Sequence, residues 1–127
     1  MKIVEGLYYT KNHEWIRVEG VEAYIGITDF AQHALGDIVY IELTDEGVSL
    51  NQEEVFASVE SVKAASDIYL PVSGTITKTN EAVVDDPSLV NQDAYENWMV
   101  CIEMSNPAEL ESLMKAADYE KFCNEEA

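Results

Sequence analysis

Positive charge is what this chain lacks most. Seven Lys and Arg stand against 25 Asp and Glu, a net charge of −18 with both His neutral. Phosphate backbones and anionic bilayers are gripped by clustered Lys and Arg, so nucleic acid and membrane surfaces are excluded as partners. Such a surface suits partners with basic patches, met transiently and at salt-sensitive rates. Cysteine is nearly absent. Cys101 and Cys123 lie far apart, without CxxC or Cys/His metal spacing, and a reducing compartment fits. His13 and His33 fall on different predicted elements, with no ligand spacing between them. Hydrophobic runs are far shorter than the ~20 residues a bilayer span needs. Glu5 follows Ile3-Val4 closely, so Met1 to Trp15 holds neither a secretory core nor an Arg-rich transit pattern. A cytoplasmic protein is expected; a mature organellar form would read the same way. Ser58, Ser61, Ser66 and Ser73 have no placed base, and the glycines form no phosphate loop.

What is present is a pattern of short strands. With 127 residues, one domain is expected over 1–127, its core from about 7 to 122 and a frayed tail at 123–127. His13–Val18 alternates, and Ala23, Ile25 and Ile27 share a face of the next strand. A short helix follows, with Asp29 as its cap and Gly36 as its end. Ile38–Leu43, Val55–Val62, a strand carrying Ile68, Leu70 and Val72, Thr75–Thr77 and Trp98–Met104 complete the strands. Asn80–Gln92 reads as loop, broken at Asp85-Asp86-Pro87. Asn106, Pro107 and Glu109 read as a capping box opening a terminal helix with a Leu110, Leu113, Met114, Ala117 stripe and a Glu111–Lys115 pair. Asp118 starts a second short turn. The class is mainly β: a sandwich or flattened barrel with a short internal helix and a C-terminal helix.

One residue stands out chemically. Between Val18 and Thr77 there are eleven acids, and Lys63 is the single base. It sits at a predicted hairpin turn, Lys63-Ala64-Ala65-Ser66, whose small neighbours leave the amine open. That turn lacks the Gly, Asn or Asp of two-residue hairpins. The surrounding carboxylates favour the ammonium, which opposes a role as autonomous nucleophile. The amine can still accept an acyl group that another enzyme has activated.

Around this lysine, Val59-Glu60-Ser61-Val62-Lys63-Ala64-Ala65-Ser66-Asp67-Ile68-Tyr69 resembles the lipoyl-attachment motif of glycine cleavage system H proteins. Further blocks match in order: His13-Glu14-Trp15, Gly26-Ile27-Thr28-Asp29-Phe30-Ala31-Gln32, Leu35-Gly36-Asp37-Ile38-Val39, Pro71-Val72-Ser73-Gly74, Leu89-Val90-Asn91 and Ser105-Asn106-Pro107-Ala108-Glu109-Leu110. The resemblance implies a lipoyl/biotinyl-domain-like sandwich of two small antiparallel sheets. It implies lipoate in amide linkage to Lys63, on an exposed hairpin formed with Glu60, Ser61, Val62 and Ala64. It also implies a non-catalytic carrier, probed in turn by a pyridoxal-phosphate glycine decarboxylase subunit, a tetrahydrofolate-dependent aminomethyltransferase and a dihydrolipoyl dehydrogenase. A lipoate ligase or a lipoyl/octanoyl transferase would load it. In the family the loaded arm folds into a cleft, so Glu14 and Asp67 are expected to contact its terminal amine. A monomer is the default.

The resemblance leaves rivals open. An H-like protein that relays lipoate, or serves another pathway, would carry the same motif. An unmodified scaffold retaining the fold is the reading from another class, supported only by the departures at Ala94-Tyr95-Glu96-Asn97. Cys101 and Glu103 stand where the family often has lysines, a departure that bears on partner fit.

Overall fold

The computed structural model describes residues 1–126. In chain order these form β1 (Tyr8–Tyr9), β2 (Glu14–Glu19), β3 (Glu22–Ile27), α1 (Asp29–Leu35), β4 (Ile38–Leu43), β5 (Ser49–Leu50), β6 (Val55–Ser61), β7 (Ala65–Tyr69), β8 (Gly74–Thr79), α2 (Glu81–Asp85), α3 (Ser88–Gln92), β9 (Val100–Met104), a 3-10 turn (Pro107–Ser112), β10 (Met114–Lys115) and α4 (Ala116–Glu126). A larger antiparallel sheet runs β10-β1-β2-β3-β9-β8-β5, and a smaller one runs β4-β6-β7. Two antiparallel sheets were expected, and two are found.

Strand alternation places the main core between the sheets. Ile16, Ile25, Ile76 and Ile102 of the larger sheet belong to one buried cluster with Ile41, Phe56, Val59 and Ile68 of the smaller. Successive strand residues point to opposite faces, so Trp15, next to Ile16, faces the other way. There it joins a second cluster with Tyr9, Tyr95, Ala116, Tyr119 and Cys123. The indole needs its glycine: a Cβ on Gly26, its cross-strand partner, would lie 2.8 Å from the ring. Its Nε1 donates to Ala94 O at 3.1 Å. Tyr119 brings α4 onto the same face, stacking on Tyr9 with ring centres 4.4 Å apart.

Several expectations are corrected. The cap of α1 is Thr28, whose hydroxyl accepts the Ala31 N–H; Asp29 is the first helical residue. The stretch read as loop at Asn80–Gln92 holds α2 and α3, separated at Asp86-Pro87. The capping box at Asn106 does not form. Glu109 turns instead to Ser73, whose N–H and hydroxyl donate to it at 2.7 and 2.9 Å, and Asn106 makes no side-chain cap. The chain then pairs as β10 with β1 before entering α4. Leu110, Leu113 and Met114 therefore share no helix with Ala117, and Glu111 and Lys115 lie on different elements. Asp118 lies in the first turn of α4, which runs to Glu126 with Cys123 buried. Ala127 lies outside the described residues. Among the described residues, no helix is long and apolar enough to cross a membrane.

Candidate functional site

The β6–β7 hairpin carries Lys63 at its tip. Ala65 and Ser66 belong to β7, so the connection is Val62-Lys63-Ala64 rather than the four residues expected. Glu60 faces Ala65 as the last pair before it. Ser61 organises the turn. Its hydroxyl accepts the N–H groups of Lys63 (3.2 Å) and Ala64 (3.1 Å), and its own N–H donates to Ala64 O at 2.8 Å. A serine hydroxyl thus does locally what Gly or Asn does in tighter hairpins. Lys63 and Ala64 are exposed, and Val62 is 67% exposed.

The tip is tied to the corner between α1 and β4. Val62 N–H donates to Asp37 O at 3.0 Å. Asn91 holds that corner from the other side: its Oδ1 accepts Ile38 N–H at 2.8 Å, and its Nδ2 donates to Gln32 Oε1 and Gly36 O, both at 2.9 Å.

Glu14 is placed very differently from an exposed strand acid. It is 2% exposed. The turn before β2 aims it inward: Thr10 N–H donates to Glu14 O at 3.0 Å, and His13 adopts a left-handed φ of 65° between them. Thr10 Oγ1 donates to Glu14 Oε1 at 2.6 Å, and Tyr69 N–H to Oε2 at 3.2 Å. Burial pushes this carboxyl up to about 7, the two donors pulling it back and the charge of Glu53 adding to the rise. Near neutral pH both its protonated and its ionised forms are therefore populated. Asp67 is exposed on β7 and accepts from Ser58 Oγ across the strand pair at 3.4 Å. It borders an acidic groove of about 320 Å3 with Tyr40, Glu42 and Glu60. Glu14 and Asp67 share no hydrogen bond.

His13 serves structure, its Nδ1 2.7 Å from the Tyr119 hydroxyl and its ring stacked on Phe30. Among the described residues, no three His, Cys, Asp or Glu side chains gather as a metal site. The departing segment at Ala94–Asn97 is firmly built: Asp93 Oδ1 accepts the N–H groups of Tyr95 and Glu96, and the Asn97 amide donates to Leu89 O and Asp93 O. Cys101 is buried in β9 beside Glu22, and Glu103 is exposed. Sequence reading missed Thr10 as the partner of Glu14, and saw Gly36 and Asn91 only as a helix end and a motif letter.

A model of the glycine cleavage H-protein family matches residues 7–126. A glycine cleavage system H protein of Thermoanaerobacter pseudethanolicus is 56% identical over 126 residues, covering 99% of this chain and 100% of the relative. One from Alkaliphilus oremlandii is 54% identical over 127 residues, with both chains covered in full. The crystal structure of a glycine cleavage system H protein from Mycobacterium marinum superposes with a TM-score of 0.85 at 34% identity, over 94% of this chain and 97% of that one.

Proposed function

The chain belongs to the glycine cleavage H-protein family, and on that premise we propose that Lys63 is the residue that carries its lipoyl group. Proteins of this family are non-catalytic carrier subunits of the glycine cleavage system, working with its other subunits, and they bear lipoate on a lysine. The bound group supplies the chemistry, a disulfide that takes up the one-carbon amine and is reoxidised afterwards. The protein supplies placement.

The observation that carries the assignment is the tip itself. Lys63 is exposed on a three-residue connection, and the surface beneath its stem is the bare Cα of Gly36, where a Cβ would lie 3.2 Å from Lys63 Cε. Such a stem can be extended without disturbing any side chain below it. The polypeptide also offers a destination. From Lys63 to Tyr69 is at most about 20 Å of strand, the order of length of a lysine amide-linked to an eight-carbon acid that ends in an amine. There Glu14, buried and held by Thr10 and the Tyr69 amide, is the anion we assign to that amine. Pairing with an ammonium favours ionised Glu14, so the carboxyl releases its proton as it takes the cation. Asp67 faces the outer groove and is the contact while the arm crosses the sheet.

The partners in this reading are a pyridoxal-phosphate decarboxylating subunit, a tetrahydrofolate-dependent aminomethyltransferase and a dihydrolipoyl dehydrogenase, after loading by a lipoate ligase or a lipoyl/octanoyl transferase. The carrier acts as a monomeric lipoyl domain spanning 1–127, in the cytoplasm. Incubation with lipoate, ATP and ligase, followed by intact-mass and peptide mapping, tests the assignment. One lipoyl amide is expected at Lys63, and none on Lys63→Arg, whose circular dichroism and Tm stay those of the parent. Modification at another lysine, or glycine cleavage supported by Lys63→Arg, would overturn it.

A further inference from the structure

The surface under the lysine stem comes from outside its hairpin. Gly36 ends α1 with φ 80° and ψ −158°, a backbone region essentially reserved for glycine. A Cβ built there would lie 3.2 Å from Lys63 Cε, 3.6 Å from Cδ and 3.7 Å from Nζ. Gly6, Gly20 and Gly47 also have positive φ, and a Cβ on any of them would meet nothing within 4 Å. The glycine at position 36 thus meets two demands, a turn and a vacancy. The corner holding it is fixed twice over. Asn91 grips Gly36 O and Ile38 N–H, and Asp37 O takes the Val62 N–H one residue before the lysine.

Resting on the reading that Lys63 is acylated, we propose that Gly36 is a positioning residue for that acylation: its bare Cα is a shelf that sets the direction in which the Lys63 amine meets an activated acyl group. The step it serves forms the Nζ–C amide bond from the neutral amine, breaks the bond between the acyl carbon and the phosphate oxygen of an acyl adenylate so that AMP leaves with the electron pair, and releases one proton from Nζ. A methyl on the shelf crowds Cε, which must give by a few tenths of an ångström and turns the amine from its line of approach. Where reacting atoms must be aligned, a misplacement of about 1 Å costs about 100-fold in rate and a smaller one correspondingly less. Binding of the carrier to the modifying enzyme, which spreads over the whole hairpin surface, changes much less.

The test uses the full-length wild type, Gly36→Ala and Gly20→Ala with purified lipoate ligase, lipoate and ATP, read by intact mass over a range of carrier concentrations. Gly20→Ala places the same residue at φ 67° with open space around it, and so carries backbone strain without crowding a lysine. The expected result is a kcat at least about tenfold lower for Gly36→Ala, with KM within about twofold, and a wild-type kcat for Gly20→Ala. Equal kcat in wild type and Gly36→Ala overturns the shelf, as does an equal loss in both variants. Should Gly36→Ala fail to fold, the wild type decides. With 13C-lysine in the unmodified protein, nuclear Overhauser effects between Lys63 Hε and Gly36 Hα are expected, and their absence overturns the proposal. A wild type that gains no mass at Lys63 refutes the attachment site instead, and leaves the Overhauser measurement to judge the shelf.

Discussion

Glu14 shows how one buried acid ties the site to pH. Its carboxyl stands at about 7 in the folded protein against 4.5 for a free glutamate, and desolvation is the main cause. Between those values the folded chain keeps a proton that the unfolded chain has released. The group's contribution to stability is therefore greatest below about pH 4.5 and is lost as pH rises through about 7, a change of up to roughly 3 kcal/mol. Glu14→Gln keeps the size and one acceptor oxygen but cannot ionise, and its amide nitrogen donates where a carboxylate oxygen accepted. Urea unfolding of both proteins from pH 4 to 8 should show the wild type losing stability relative to the variant across that window. A constant difference would mean that the carboxylate is solvated. The cost has a use in the carrier reading: a carboxylate that is uncomfortable when alone gains most from an arriving cation.

At the scale of elements, the β6–β7 hairpin owes the position of its tip to a helix it does not belong to. Asn91, at the end of α3, satisfies the Ile38 N–H and Gly36 O on either side of Asp37. Asp37 in turn holds Val62. Asn91→Ala leaves the N–H of the buried Ile38 without its acceptor, a loss of about 1–3 kcal/mol for that group. We expect the Tm to fall and the Val62 amide to exchange with solvent faster than in the wild type, while amides in the middle of β6 slow or quicken only with global stability. Unchanged Val62 exchange at native pH would show that the hairpin tip holds itself. The same long-range logic redirects the C-terminal segment. Glu109 is drawn to Ser73 rather than to the start of its own helix, and the chain stays near β1 long enough to pair as β10 before α4 begins.

The molecule as a whole is a net −18 body whose Lys63 tip stands amid acids and near a few exposed apolar residues, Val39, Tyr40 and Val62 among them. Fields of this size speed encounters with basic surfaces and weaken as the Debye length shrinks from about 10 Å at 0.1 M salt to about 3 Å at 1 M. For a partner enzyme using the carrier as substrate, kcat/KM should fall severalfold as NaCl is raised from about 0.05 to 0.5 M, chiefly through KM. A flat salt profile would reduce the charge to a matter of solubility. The second apolar cluster, under α4, belongs to this scale too. It lets both faces of the larger sheet be buried, which a 127-residue chain achieves only by bringing its two ends together over Trp15.

The strands with a clear period of two, the turn glycines and the isolated Lys63 could be read from residue order, because each depends on neighbours a few positions away. Strands of two residues, such as β1, β5 and β10, are too short to show a period and exist because a partner strand is there. The burial of Glu14 was likewise beyond local pattern. Its donor on Tyr69 is 55 positions away, just as Asn91 lies 53 from Ile38 and Thr28 lies 91 from Tyr119. Local order thus determined which lysine stands isolated among acids and that a hairpin carries it, while the length of the connection was fixed by where β7 pairs with β6. Only the folded chain decided what lies beneath that lysine and where the Glu14 carboxyl is buried, since both depend on groups that meet after distant segments have packed.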